Sequence, residues 1–438
     1  MNRNEFKRRR KQLMRMMGEN SIAILPSSPE QVRNRDVLYN YRPDSDFYYL
    51  TGFPEPEAVA VLIPGREQAE YILFCRERDE KKERWHGSRA GQDGATERYG
   101  ADDSFPVTDL NDILPRMLEQ CERVFYAMGC NPDLDRRLSG WINDIRSHSG
   151  SDVRGPIKFL ALDHYLHDFR LYKSSAEVKM MRQAAEISSA AHRRVMQSCR
   201  PGLMEYELEA AVIHECAMRG AREQAYPPIV GTGGNSCVLH YMENNDKLAD
   251  GDLLLIDAGC ELNYYASDIT RTIPVNGIFS KPQRQLYELV LNAQYAAIAA
   301  VKPGNNWNDP HEAAVRSITI GLVELGILKG DVDTLIKDGD YKRFYMHRTG
   351  HWIGMDVHDV GDYKIDGKWR LLEPGMVLTI EPGLYIPAKS KKVAKKWWDI
   401  GIRIEDDLLV TKDGHEVLSK GAPKTVAEIE AEMASAKT

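Results

Sequence analysis

One stretch, Ser174-Ser175-Ala176-Glu177, constrains the architecture more than any other. Its first serine and its glutamate stand three apart, the pattern of a capping box, in which each side chain satisfies the other's backbone N–H at a helix start. A helical pattern follows to about Cys199, and Pro201-Gly202 ends it. The chain has 438 residues, too many for one compact core. A boundary near Leu171–Ser174 therefore predicts two domains, residues 1–173 and 174–438.

Before the boundary, Ser21–Leu25, Ala58–Ile63 and Glu70–Phe74 are short apolar runs bounded by Pro and Gly, which predicts strands. Asp109–Glu122 reads as a helix whose regularity Pro115 limits. Together these predict a small α/β domain. Its first residues run Phe6-Lys7-Arg8-Arg9-Arg10-Lys11, and Phe6, Leu13, Met14 and Met17 share one helical face. We read a surface helix with a basic outer face. An amphipathic organelle presequence has a similar pattern, but Glu5 and the lack of serine argue against it.

After the boundary, a second helix is expected from about Tyr206 to Arg219. Leu253–Ala258 and Ile269–Val275 read as strands on either side of Gly259–Ser267. Helices are expected at about Pro282–Val301 and Pro310–Leu325, then strands at Met376–Ile380, Leu384–Ile386 and Arg403–Thr411. Such blocks predict an α+β domain, a mainly antiparallel sheet covered by helices on one side.

A net charge of −7 argues against a nucleic-acid partner. No apolar run approaches the roughly 20 residues that span a bilayer, so no membrane partner is expected. Seven cysteines, an odd number without C-x-x-C, predict reduced and mostly buried thiols and a cytoplasmic location.

Four clusters could carry chemistry. Asp257 ends one apolar strand, and Asp268 opens the next, eleven residues on. Alone, the pair reads as two strand-end aspartates. His347, His351 and His358 fall within twelve residues, beside Gly350 and Gly361, which permit close backbone approach. Glu381 follows an apolar strand and precedes Pro382-Gly383. Arg403 and Glu405 fall on one strand face under period-two alternation, the pattern of an ordinary ion pair. Taken together, four carboxylates and an imidazole form a hard ligand set that suits manganese or a similar ion. Four converging negative charges repel and force proton uptake, and two divalent ions would neutralise them.

These motifs resemble the aminopeptidase P family of metallopeptidases, related to prolidase, methionine aminopeptidase and creatinase. The likeness includes Tyr41-Arg42-Pro43-Asp44-Ser45-Asp46-Phe47 and Leu50-Thr51-Gly52-Phe53 in the first domain. In the second it runs from Ile229-Val230-Gly231 through Leu239-His240-Tyr241 to Glu405. The resemblance is strongest to a bacterial-type Xaa-Pro aminopeptidase. It implies a C-terminal pita-bread (creatinase/aminopeptidase) domain behind a smaller N-terminal α/β domain. It implies that Asp257 chelates one metal, that Asp268 and Glu405 bridge two, and that His351 and Glu381 complete the second site. His240, His347 and His358 would surround the cluster, with Arg403 orienting a carboxylate. Manganese is expected, with zinc, cobalt or iron(II) as alternatives. The family often carries a small residue where this chain has Arg348, and the loop Lys389–Lys396 has no secure counterpart.

The expected reaction is hydrolysis of the bond before a proline in second position, by a hydroxide bridging the metals. Glu381 would move the proton, and His240 or His358 would stabilise the oxyanion. Tyr226 and His347 are candidate walls for the proline ring. In bacterial relatives the first domain often closes a neighbouring subunit's site, which makes Trp85 and Asp36 candidate substrate contacts in a homodimer or homotetramer. The rival readings are a prolidase limited to dipeptides and a non-catalytic peptide-binding protein on the same fold.

Overall fold

The computed structural model describes residues 1–119, 121–147 and 155–435. The chain divides into two compact units, Met1–His167 and Asp168–Thr438. The division falls a few residues before the expected 173. Arg170 and Lys173 explain the difference: their ion pairs, at 2.5 and 2.9 Å, go to Asp359 of the second unit.

The first unit is built on a six-stranded mixed sheet. Its strands, in spatial order, are Asp103–Pro106, Tyr71–Cys75, Val59–Leu62, Ser21–Pro26, Arg123–Phe125 and Lys158–Leu160. The middle pairings are antiparallel and the outer ones parallel. Ile22, Ile24, Val61, Ile72 and Phe74 pack with Leu114, Leu138 and Trp141 of the flanking helices into one apolar core. The expected helix over Asp109–Glu122 is shorter, Leu110–Leu118, after a 3-10 turn; Gln120 lies outside the described residues. Helix Arg3–Met17 departs more from expectation. It buries Arg9 and Arg10 along with Phe6, Leu13, Met14 and Met17, so its basic residues are not all outward.

The second unit opens with the capped helix Ser175–Ser198, where Ser174 N donates to Glu177 at 2.9 Å and Ser174 Oγ accepts from the Glu177 N–H. Losing such a cap costs about 1 kcal/mol. This helix packs on Glu205–Met218, and later Lys281–Ala300 packs on Asp309–Glu324. Each helix pair precedes an antiparallel sheet. The first sheet joins Ile229–Thr232, Leu253–Asp257 and Thr270–Pro274; the second joins Val377–Ile380, Asp406–Val410 and His415–Val417. Gly383–Ile386 pairs with Ile400–Arg403. One large apolar core runs through both halves. All seven cysteines are free, and five of them are buried. Among the described residues no helix is long and apolar enough to cross a membrane.

Candidate metal centre

Local chain geometry explains how distant carboxylates meet. Asp257 ends its strand opposite Thr270. Between them Cys260–Leu262 and Tyr265–Ala266 form a hairpin, turned at Asn263 and Tyr264 with φ of 49° and 67°. Gly259 lets the hairpin close, because a Cβ there would lie 1.8 Å from the Ser267 carbonyl oxygen. The chain thus returns with Asp268 beside Asp257. The Tyr226 hydroxyl touches both, 2.6 Å from Asp257 Oδ1 and 2.5 Å from Asp268 Oδ1.

Glu381 and Glu405 sit at matched interruptions. Val377–Ile380 and Gly383–Ile386 are separated by Glu381-Pro382; their partners Asp406–Val410 and Ile400–Arg403 are separated by Ile404-Glu405. Ile380 faces Asp406 and Gly383 faces Arg403, so the register carries through and places Glu381 opposite Glu405. The expected single strand over Arg403–Thr411, with Arg403 and Glu405 on one regular face, is therefore corrected. Pro382 has no N–H to give the ladder. The Glu405 N–H donates instead to Thr270 O at 3.1 Å, and Thr270 Oγ1 donates to Glu405 Oε2 at 2.7 Å. On the other side, Glu381 N donates to Thr349 O and Thr379 N to His351 O. Gly350 makes that approach possible, since a Cβ would stand 2.0 Å from Thr379 O.

Asp268, His351 and Glu405 each point one donor atom into a space where all lie within 4.8 Å of one another. His351 Nδ1 lies 2.9 Å from the Trp352 carbonyl, which can only accept, so Nδ1 carries the proton and Nε2 is left for the cluster. Nε2 stands 3.4 Å from Asp268 and 3.8 Å from Glu381. Carboxylate oxygens with one imidazole nitrogen fit a hard or borderline divalent cation.

The electrostatics show strain that cations would relieve. Burial pushes the Glu381 carboxyl up to about 7. Burial, then the charges of Asp268, Glu381 and Asp257, holds Glu405 well above the usual carboxylate range. Burial also raises Asp257, against the pull of Arg403. For His351, burial acts downward, but the hydrogen bond to Asp268 and the charge of Glu381 prevail and lift it to about 9. The same contact carries Asp268 below its ordinary value despite burial. Protons here take the place of positive charge.

Arg403 anchors the back of the cluster. It donates to Asp257 Oδ2 at 2.6 Å, to Thr270 Oγ1 at 3.1 Å and to the Tyr385 hydroxyl at 2.9 Å. His347 Nε2 lies 2.9 Å from that same hydroxyl, and burial with the Arg403 charge pulls His347 down to about 3. Thr270 and Tyr385 were not singled out from sequence. The only hint was polar side chains within otherwise apolar strands.

A cavity of about 580 Å3 is lined by Asp257, Asp268, His351, Glu381 and Glu405, and by His240, His347, His358 and Arg403. Trp307, Tyr363 and Trp369 supply aromatic walls, none of them expected from sequence. Arg348 also lines it, held by Asn308 and standing 5.1 Å from the Trp369 ring centroid. Tyr226 is not among the lining residues. Its hydroxyl fastens two carboxylates. Asp36 sits in the turn of the hairpin Val32–Leu38 of the first unit, and Trp85 lies there on helix Glu80–His86, 85% exposed. The Lys389–Lys396 loop is largely exposed.

Comparison with known proteins agrees. Residues 6–126 match the model of the aminopeptidase P N-terminal domain, and residues 179–412 that of metallopeptidase family M24. The Xaa-Pro aminopeptidase of Escherichia coli is 44% identical, over 100% of this chain and 99% of that protein. The structure of Pseudomonas aeruginosa aminopeptidase PepP superposes with a TM-score of 0.99 at 61% identity, covering 100% of this chain and 99% of its own. A substrate complex of an E. coli aminopeptidase P variant gives 0.97 at 44% identity, with the same coverage. The expected fold, an α/β domain ahead of a pita-bread domain, therefore holds, and the chain belongs to metallopeptidase family M24, in its aminopeptidase P branch.

Proposed function

We propose that the protein is a Xaa-Pro aminopeptidase, releasing any N-terminal residue that precedes a proline. The observation that carries this reading is the convergence of Asp257, Asp268, His351, Glu381 and Glu405 on one open cavity. In this reading those five residues would hold two divalent ions, manganese by preference. Such ions supply Lewis acidity toward a carbonyl and an activated water at neutral pH.

The chain's own groups do the rest. The Glu381 carboxylate, which lines the cavity, is the group suited to take a proton from the attacking water and return it to the leaving nitrogen. His240 and His358 line the cavity as donors toward developing oxyanion charge. Arg403 holds Asp257, and Tyr226 holds Asp257 and Asp268. Proline has no N–H for a site to grip, so its ring must be met by shape. His347 and the rings of Trp307, Tyr363 and Trp369 offer such a surface.

We place the enzyme in the cytoplasm as a homo-oligomer, a dimer or tetramer. Val32, Leu38, Tyr39 and Trp85 of the first unit are exposed apolar side chains, which supports burial against a second copy that brings Trp85 and Asp36 to substrate. The direct test strips the protein with chelator, assays a Xaa-Pro-Yaa peptide, and restores manganese. Loss and recovery of cleavage is expected, and activity untouched by the cycle would refute the metal reading. Cleavage confined to Xaa-Pro dipeptides would make it a prolidase.

A further inference from the structure

The peptidase reading leaves the basic run of the first helix unused. Arg9 and Arg10 are both buried there, 1% and 3% exposed. Arg9 is satisfied by Glu5 at 3.5 Å and the Tyr49 carbonyl at 3.0 Å. Arg10 is not satisfied in that way. It donates to the Leu50 carbonyl at 2.8 Å and lies 4.0 Å from the Tyr71 ring centroid. Among the described residues no carboxylate comes within ion-pair distance of it. Tyr71, 3% exposed, is equally unfinished: its hydroxyl has no hydrogen-bond partner among the described residues.

Both residues line one cavity of about 450 Å3. Arg3, Lys7 and Lys11 line it too. Its two carboxylates are occupied elsewhere. Glu70 accepts from Gly65 N at 2.8 Å, and Asp102 accepts from the N–H groups of Glu70 and Tyr71 at 3.2 and 2.9 Å. Asp102 acts on Arg10 through space but makes no ion pair with it, and a buried cation so partly balanced and a buried hydroxyl without an acceptor are each costly. One ligand relieves both if it carries negative charge and several acceptor oxygens. The volume exceeds a bare phosphate and falls in the range of small-molecule sites.

We propose that this cavity binds a phosphate-bearing small molecule, its oxygens accepting from Tyr71 and Arg10 while Lys7 and Lys11 balance its charge. The test is calorimetric titration of the metal-loaded enzyme with inorganic phosphate and with a nucleoside monophosphate. One site per chain is expected. Tyr71→Phe should weaken binding about tenfold, the loss of one hydrogen bond to a charged group. Lys7→Gln, at an exposed position, should weaken it about threefold and flatten its salt dependence. Both variants should keep peptidase activity. Binding of both probes supports the site, and binding of the ester alone supports it with a role for the organic part. Binding that is unchanged by Tyr71→Phe and inhibits peptide cleavage would place the anion at the metal centre and overturn the proposal. So would failure of both probes to saturate at millimolar concentration.

Discussion

Glu381 stands opposite Glu405 across an antiparallel pair, and both spend their N–H groups outside it, on Thr349 and Thr270. Without cations, burial lifts Glu381 to about 7, and Asp268 with Glu381 lifts His351 to about 9 against burial. Both folded values lie above the unfolded ones, near 4.3 and 6.5. Their stabilisation is thus full at low pH and is lost as pH rises through about 7 and about 9. Divalent ions held by these residues would take the place of these protons. The melting temperature of metal-free protein should fall between about pH 6 and about pH 9, while manganese raises it most at the upper end. A manganese shift that stays constant across this range would contradict the proton count.

Tyr226 ties Asp257 to Asp268, so Tyr226→Phe should loosen the metal set without removing a donor from it. Partners of this kind cost about 10-fold or more in metal affinity when lost. Competitive titration with a metal indicator would measure it, and an unchanged affinity would dismiss the role.

Arg271 is fully buried, pairs with Asp406 at 2.8 Å and donates to the Glu405 carbonyl at 2.6 Å. Arg271→Ala strands the Asp406 charge and should cost about 3–5 kcal/mol in urea unfolding. Lys424, 2.8 Å from Asp406, would moderate the loss. A change below about 1 kcal/mol would show that the pair is dispensable.

Arg348 crosses the cavity wall between Asn308 and Trp369. Arg348→Gly should raise KM for tripeptides about tenfold, the scale of one charged hydrogen bond, with kcat little changed. Steady-state kinetics decide it; a fall in kcat at constant KM would point to chemistry instead.

Trp85 should matter with substrate length if a neighbouring copy brings it to the peptide. Trp85→Ala is expected to weaken cleavage of longer peptides several-fold more than of Xaa-Pro dipeptides. Equal loss on both would remove Trp85 from substrate contact.

What was legible early was whatever depends on neighbours in the chain. The capping box at Ser174, the breaks at Pro201-Gly202 and the apolar run ending at Asp257 need only a few adjacent residues to form. The ordered Asp, Asp, His, Glu, Glu set was readable through its resemblance to the aminopeptidase P family, since each member alone reads as an ordinary strand-end or loop residue. What tertiary structure decided depends on partners far away in sequence. Tyr226 became a clasp because a hairpin returns Asp268 to Asp257, and Glu405 left its strand because Thr270, 135 residues earlier, took its carboxylate. Arg10 turned inward onto Tyr71 although the helical pattern alone placed it outside. Alternation and helical period state which residues share a face, but only packing chooses what that face meets.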